Sequence, residues 1–288
     1  MNPIGIMQGR LSLPVEGQIQ TFPIDTWRDE FFLARDLGLD GVEWVYDVAT
    51  YTDNPLLTEA GLTEIRRLRK RSGVEIWSVC ADYFHDCPLI RVDSATLAMR
   101  LQILRNLISQ CRAAGIRRVM IPFVDSASIV TDDDFNQAIN ALRTILPFAR
   151  ANDLVITLEA SLEPGRYRSF LECINNPALR VTFDIGDCAS LGHDPTHEIK
   201  LLGPWLGVVH VKDRLTGGFT VPLGTGNADF KTVFTTLALM AYSGPFVLQA
   251  AREQTGKEIA TVRKNILFVK QHLTRLTGLE CHSGGLQT

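Results

Sequence analysis

Four side chains able to bind a divalent cation recur at matching places in the second half of this 288-residue chain: Glu159, Asp184, His210 and Gln249. Each stands at or near the end of a short apolar run, LVITLE, VTFDI, GVVHV and FVLQAA. Polar residues keep to one parity along these runs, with Thr157, Thr182 and Lys212 sharing it, while Ile156, Leu158, Phe183, Ile185, Val209, Val211, Leu248 and Ala250 hold the other. Two carboxylates, an imidazole and an amide oxygen make an O/N donor set suited to one hard or borderline ion such as Mn²⁺, Mg²⁺, Co²⁺ or Zn²⁺. The lack of sulfur argues against a structural zinc site. Any one of these residues alone is better explained by ordinary hydrogen bonding in a core. Four at equivalent positions favour a cation over a metal-free polar cluster, because two buried carboxylates without one are costly.

Such a ring needs elements that bring four distant segments together. Candidate strands begin near Ile4, Gly41, Val74, Arg118, Leu154, Val181, Gly207 and Phe246, with amphipathic segments between them. Their spacing averages about 35 residues, enough for a strand, a helix and two loops. The clearest helix lies between Asp93 and Gly115, where Leu97, Leu101, Leu104, Ile108 and Cys111 step by three and four between an N-cap and a C′ glycine. A second is expected from about Asp133 to Ala151, kinked or shortened by Pro147. Others fit Trp27–Leu37, Thr58–Arg71, Arg166–Asn175, His197–Leu202, Phe230–Met240 and Glu258–Leu273. An open parallel sheet would bury apolar residues on both faces; polar residues at one parity instead predict a closed single (β/α)8 TIM barrel. It is expected over residues 1–276, with a loosely ordered tail over 277–288.

Composition narrows the partners. With 29 basic and 32 acidic side chains and a net charge of −3, the chain carries no footprint for nucleic acid or an anionic membrane. Six cysteines without a CxxC pair fit a reducing cytoplasm, and no apolar run is long enough for a signal peptide core or a membrane span.

Further candidates gather at the expected mouth. Lys212 could neutralise an enolate or phosphate, shuttle a proton if its pKa is lowered, or simply pair with Asp184 or Glu159. Glu43 could bind substrate hydroxyls, serve as a base, or pair with Arg10. Arg214 and Arg252 could clamp a carboxylate or phosphate as bidentate forks. The stretch Asp82, Tyr83, Phe84, His85 is expected as a loop over the cavity, with aromatics to wall a sugar and His85 as a further acid/base group or a surface residue. Backbone amides of Gly224–Asn227 could hold an anion or form a tight turn, and Asp229 reads as an N-cap.

The segments TLEA, FDIGD and HVKDR, followed by PLGTGNADF, resemble the xylose isomerase-like superfamily of sugar isomerases and epimerases. The opening GIMQGRL and the segment CADYF resemble its L-ribulose-5-phosphate 3-epimerase-like branch. The resemblance implies a TIM barrel with one divalent metal held by Glu, Asp, His and a second Glu, the two glutamates doubling as a proton-transfer pair. It therefore implies catalytic work for Glu159, a sugar or sugar-phosphate substrate, and barrels that often pair into homo-oligomers. The sequence departs from that pattern twice: Gln249 stands where the second glutamate would be, and Asp187 where several members carry histidine. A glutamine can coordinate through its carbonyl oxygen but cannot act as a general base near neutral pH. The leading expectation is thus an isomerase or epimerase acting through an enediolate. A dehydratase of the inosose or dehydroshikimate type, needing one base, and a non-catalytic sugar-binding protein stand as alternatives. An endonuclease IV-like phosphodiesterase would need many more histidines.

Overall fold

The computed structural model describes residues 2–283. Eight parallel strands close into a barrel: β1 Ile4–Met7, β2 Gly41–Val45, β3 Glu75–Cys80, β4 Arg118–Phe123, β5 Val155–Ala160, β6 Leu179–Asp184, β7 Leu206–Val211 and, after a small ladder of β8 Asp213–Arg214 with β9 Thr220–Val221, β10 Phe246–Leu248. The strands follow chain order around the barrel, and β10 closes it between β7 and β1. Every barrel strand begins within two residues of its expected start. Ile156, Leu158, Val209 and Val211 are buried and belong to the outward parity, under the helical ring. At the inward parity Thr182 donates to Thr157 across 2.9 Å, satisfying two hydroxyls inside the barrel.

The helices form where apolar periodicity meets good caps. In α4, Ser94–Ala114, the Asp93 carboxylate accepts from the amides of Ala95 and Thr96, and Gly115 ends the helix at φ +76°. In α5, Asp132–Ala151, Thr131 and Asp134 form a capping box. As expected, α5 ends at Ala151, and Pro147 does not shorten it. Proline's fixed φ suits a helix and costs one donor, while buried Ile145, Leu146 and Ala149 hold both sides of that point on the barrel. The remaining outer helices are α1 Trp27–Asp36, α2 Glu59–Ser72, α6 Pro164–Ile174, α8 Pro195–Leu202, α9 Phe230–Leu239 and α10 Glu258–Ser283. Of the segment expected as a tail, the backbone to Ser283 is helical, and 284–288 lie outside the described residues.

Two further short helices sit at the C-terminal end of the barrel, α3 Tyr83–Asp86 and α7 Ile185–Ser190. Both are too short to show a period of 3.6 in sequence, and the first replaces the loop expected there. Cys80, Cys87, Cys111, Cys173 and Cys188 are free thiols. Among the described residues no helix is long and apolar enough to cross a membrane.

Candidate metal centre

Glu159, Asp184 and His210 leave the ends of β5, β6 and β7 on the inward side, and their ligand atoms all lie within 4.8 Å of one another. Asp184 and His210 are direct neighbours in the β6–β7 register. His210 Nδ1 lies 3.1 Å from Glu159 Oε2 and 3.9 Å from Asp184 Oδ2. On the far side of the imidazole, Nε2 lies 2.7 Å from Glu43 Oε2, and Ser78 Oγ donates to Glu43 Oε1 at 2.6 Å. Glu43 is therefore not a mouth residue. It is completely buried with both oxygens engaged by His210 and Ser78, and Arg10 pairs elsewhere. Its position suits a different role, because a carboxylate that accepts from Nε2 leaves Nδ1 facing the two ring carboxylates, the orientation that ligating histidines need.

The electrostatics of this cluster are those of crowded anions in a dry place. Burial, reinforced by Asp187, lifts the Asp184 carboxyl to about 7, with Lys212 acting the other way. Burial opposes charge on His210, yet Glu43 and Glu159 raise it well above the ordinary imidazole range. Negative charge thus draws a proton to Nδ1, where a cation would compete for the same lone pair.

A cation fits the donors present. Glu159 Oε2, His210 Nδ1 and Gln249 Oε1 are each buried without a hydrogen-bond partner; the close approach of the first two lacks hydrogen-bond alignment. Gln249 follows β10 two residues after Val247, the register partner of His210, so it shares the inward parity. One carboxylate oxygen and one imidazole nitrogen, unpartnered beside Asp184, with an unpartnered amide oxygen at the same inward parity, match what a divalent ion would satisfy.

The other expected site residues are mostly committed to the chain itself. Lys212 Nζ donates to Asp184 Oδ2 at 3.0 Å and lies 3.6 Å from Asp187. Burial opposes its charge, but the two aspartates hold its pKa above the ordinary value, so a lowered-pKa shuttle is not what these neighbours create. Arg214 donates through Nη1 to Asp187 at 2.8 Å and through Nε and Nη2 to the Gly218 carbonyl. Arg252 donates to the carbonyls of Ile19, Ser12 and Gly9. Neither guanidinium is a free fork for a ligand: Arg214 ties β8 to α7, and Arg252 staples the β1–α1 loop over the barrel. Tyr83 is buried among Tyr46, Tyr51 and Phe84, at centroid distances of 6.0, 5.0 and 5.2 Å, and so anchors α3. His85 sits at the rim, Nδ1 3.1 Å from Asp86, with about a third of its side chain exposed.

Four residues at the mouth are joined in a way that their sequence context does not announce. Arg10 Nη2 donates to Gln20 Oε1 at 3.2 Å, Gln249 Nε2 donates to the same oxygen at 3.1 Å, and Gln20 Nε2 donates to Asp82 Oδ2 at 2.6 Å. Gln20 lies in an aperiodic loop, and nothing local marks it. A cavity of about 220 Å³ lies to one side, between the end of β10 and the start of α10; its lining, which includes Leu248, Ala250 and Val262, holds none of the metal-ligand candidates.

The GTGN turn does hold an anion, and the anion is the chain's own Asp213. The amides of Gly224 and Gly226 donate to Asp213 Oδ2 and that of Ala228 to Oδ1, at 2.8, 2.8 and 3.1 Å. Glycine is required here, since Gly224 has φ +82° and a Cβ on Gly226 would fall 2.3 Å from Asp213 Oδ1. Asp229 caps α9. Asp213→Ala is expected to strand three amides and lower stability by about 3 kcal/mol. Hydrogen exchange should locate the loss at Gly224, Gly226 and Ala228; unchanged protection there would refute it.

Residues 31–272 match the family described as xylose isomerase-like TIM barrel. The L-ribulose-5-phosphate 3-epimerase UlaE of Shigella flexneri serotype 5b (strain 8401) is 26% identical over 263 residues, covering 87% of this chain and 91% of that protein. A solved L-ribulose 3-epimerase superposes with a TM-score of 0.75 at 19% identity, over 100% of this chain and 99% of that one. A xylose isomerase-like TIM barrel protein from Mycobacterium smegmatis, solved in complex with magnesium, superposes with a TM-score of 0.67 at 18% identity, over 96% of this chain and 98% of that one. Structural likeness at these identities speaks for the fold, and the family match spans most of the barrel. On that match the chain belongs to the xylose isomerase-like TIM barrel family.

Proposed function

We propose that this protein is a divalent-metal-dependent epimerase or isomerase of a ketose or ketose phosphate. The observation that carries the proposal is the pair of buried, unpartnered ligand atoms on Glu159 and His210 grouped with Asp184, with a third, Gln249 Oε1, buried and unpartnered at the inward parity after β10. The epimerases among its relatives support the substrate class.

A cation bound by these four residues would acidify the C–H between two substrate oxygens and stabilise the resulting enediolate. Glu159 takes the proton on one face, since with Oε2 turned to the cation it still offers a second carboxylate oxygen, and neither is tied up by Lys212 or a backbone amide as Asp184 is. Asp184, tied to Lys212 and to the Asp187 amide, serves as ligand rather than base. Lys212 stays charged and offsets negative charge at the mouth. Gln249 cannot move a proton on the opposite face; there His85 at the rim, or water, takes that step. Tyr83 works through α3, holding His85 in place. The protein works inside the cytoplasm, alone or as a homo-oligomer.

The missing carboxylate also favours a second reading, one-base dehydration of a cyclic polyol ketone. The test separates the two. Chelator-treated protein is reloaded with Mn²⁺, Mg²⁺, Co²⁺ or Zn²⁺ and incubated in D₂O with ketopentoses, ketohexoses and their phosphates. Metal-dependent deuterium incorporation next to the carbonyl is the expected result. An enone-like ultraviolet chromophore from inosose or dehydroshikimate would favour the dehydratase. Neither signal, with retained sugar binding, would leave a binding protein and overturn the proposal.

A further inference from the structure

A glutamine in a ligand ring poses a problem that a glutamate does not. Its two terminal atoms differ: the oxygen can bind a cation and the NH₂ group cannot. Turned by 180°, the same side chain would aim two N–H donors at the ion.

The structure contains a device that decides the matter. Arg10 is buried, and a guanidinium has donors only. Its Nη2 therefore requires an acceptor in Gln20, fixing Oε1 toward it at 3.2 Å. The Gln20 NH₂ then faces Asp82, whose Oδ2 accepts at 2.6 Å. With Gln20 held at both ends, its Oε1 presents only lone pairs to Gln249, which must answer with Nε2, at 3.1 Å. Once Nε2 is so engaged, Oε1 is the atom left over, and it is the one buried without a partner. We infer that Gln20 is a positioning residue that turns the Gln249 amide so that its oxygen faces the cation. The relay runs Arg10 to Gln20 to Gln249, with Asp82 closing the other end.

This inference rests on Gln249 as a ligand, the reading proposed above. It makes a distinctive demand: Gln20 matters to metal binding only while residue 249 is an amide. A carboxylate has two equivalent oxygens and needs no turning, and against Gln20 Oε1 it would meet an acceptor with an acceptor.

The test is a double-mutant cycle read as Mn²⁺ affinity of the full chain by titration calorimetry, with Mn²⁺ alone as the probe. Gln20→Leu in the parent should weaken Mn²⁺ binding about 10- to 100-fold, the scale of lost outer-shell support. In the Gln249→Glu background the same change should cost no more than about twofold, or should tighten binding. An equal loss in both backgrounds would make Gln20 a merely structural loop residue and overturn the inference while leaving the metal site intact. A parent that binds no Mn²⁺ would overturn the site itself and the inference with it. Thermal melting of the metal-free proteins checks folding, and Gln20→Met, of nearly the same shape, supplies the cycle if the leucine variant fails to fold.

Discussion

His210→Ala should remove nearly all metal affinity, by more than the 10- to 100-fold that outer-shell losses typically cost, and with it any metal-dependent turnover. The imidazole is the one nitrogen donor in the ring, and its Nδ1 lies 3.1 Å from Glu159 and 3.9 Å from Asp184. The substitution also leaves Glu43 buried with Ser78 as its remaining partner. A fall in stability of about 3–5 kcal/mol, the usual result of stranding one member of a buried pair, is therefore expected as well. Glu43→Gln separates the two effects. Its amide oxygen can still accept from Nε2, so the fold should survive, while loss of the negative charge behind the imidazole should weaken metal binding about 10- to 100-fold. Stoichiometric metal at unchanged affinity in His210→Ala would show that the ring has been wrongly assigned.

Gln249→Glu should have the opposite sign. A third carboxylate adds a negative charge to the ring and a base on the second face of the substrate. Metal affinity should rise by about tenfold or more, equivalent to about 1.4 kcal/mol, and exchange of substrate hydrogen with D₂O should quicken or extend to a second position. The gain should be larger when Gln20 is also replaced, because Gln20 Oε1 now accepts from Gln249 Nε2 at 3.1 Å and would face a carboxylate oxygen in the variant. If the parent already exchanges at both faces and the variant is no faster, Gln249 does not stand in for a lost base.

The inward side chains are legible in the sequence because barrel strands place side chains by parity. Thr157 with Glu159, and Thr182 with Asp184, share one side of their strands, and that alternation identifies both the closed sheet and the inward donors. Capping residues worked equally locally: Asp93, Asp229 and Gly115 act within a few residues of themselves. Whether Pro147 would cut α5 short was not legible, because its effect on a helix depends on what packs against the flanking turns.

The chain alone thus determined the barrel, its phase and which side chains face inward at the strand ends, all consequences of short-range periodicity. Only tertiary structure decided how those donors are supported. Glu43 meets His210 across 167 positions and Gln20 meets Gln249 across 229. Arg252 spends its donors on carbonyls more than 230 residues away, and Asp213 fills an anion cradle that sequence alone would offer to a ligand. A charged or amide side chain reaches whichever partner the closed barrel brings within about 3 Å; no spacing along the chain encodes that partner, since barrel closure sets the distance between strand ends.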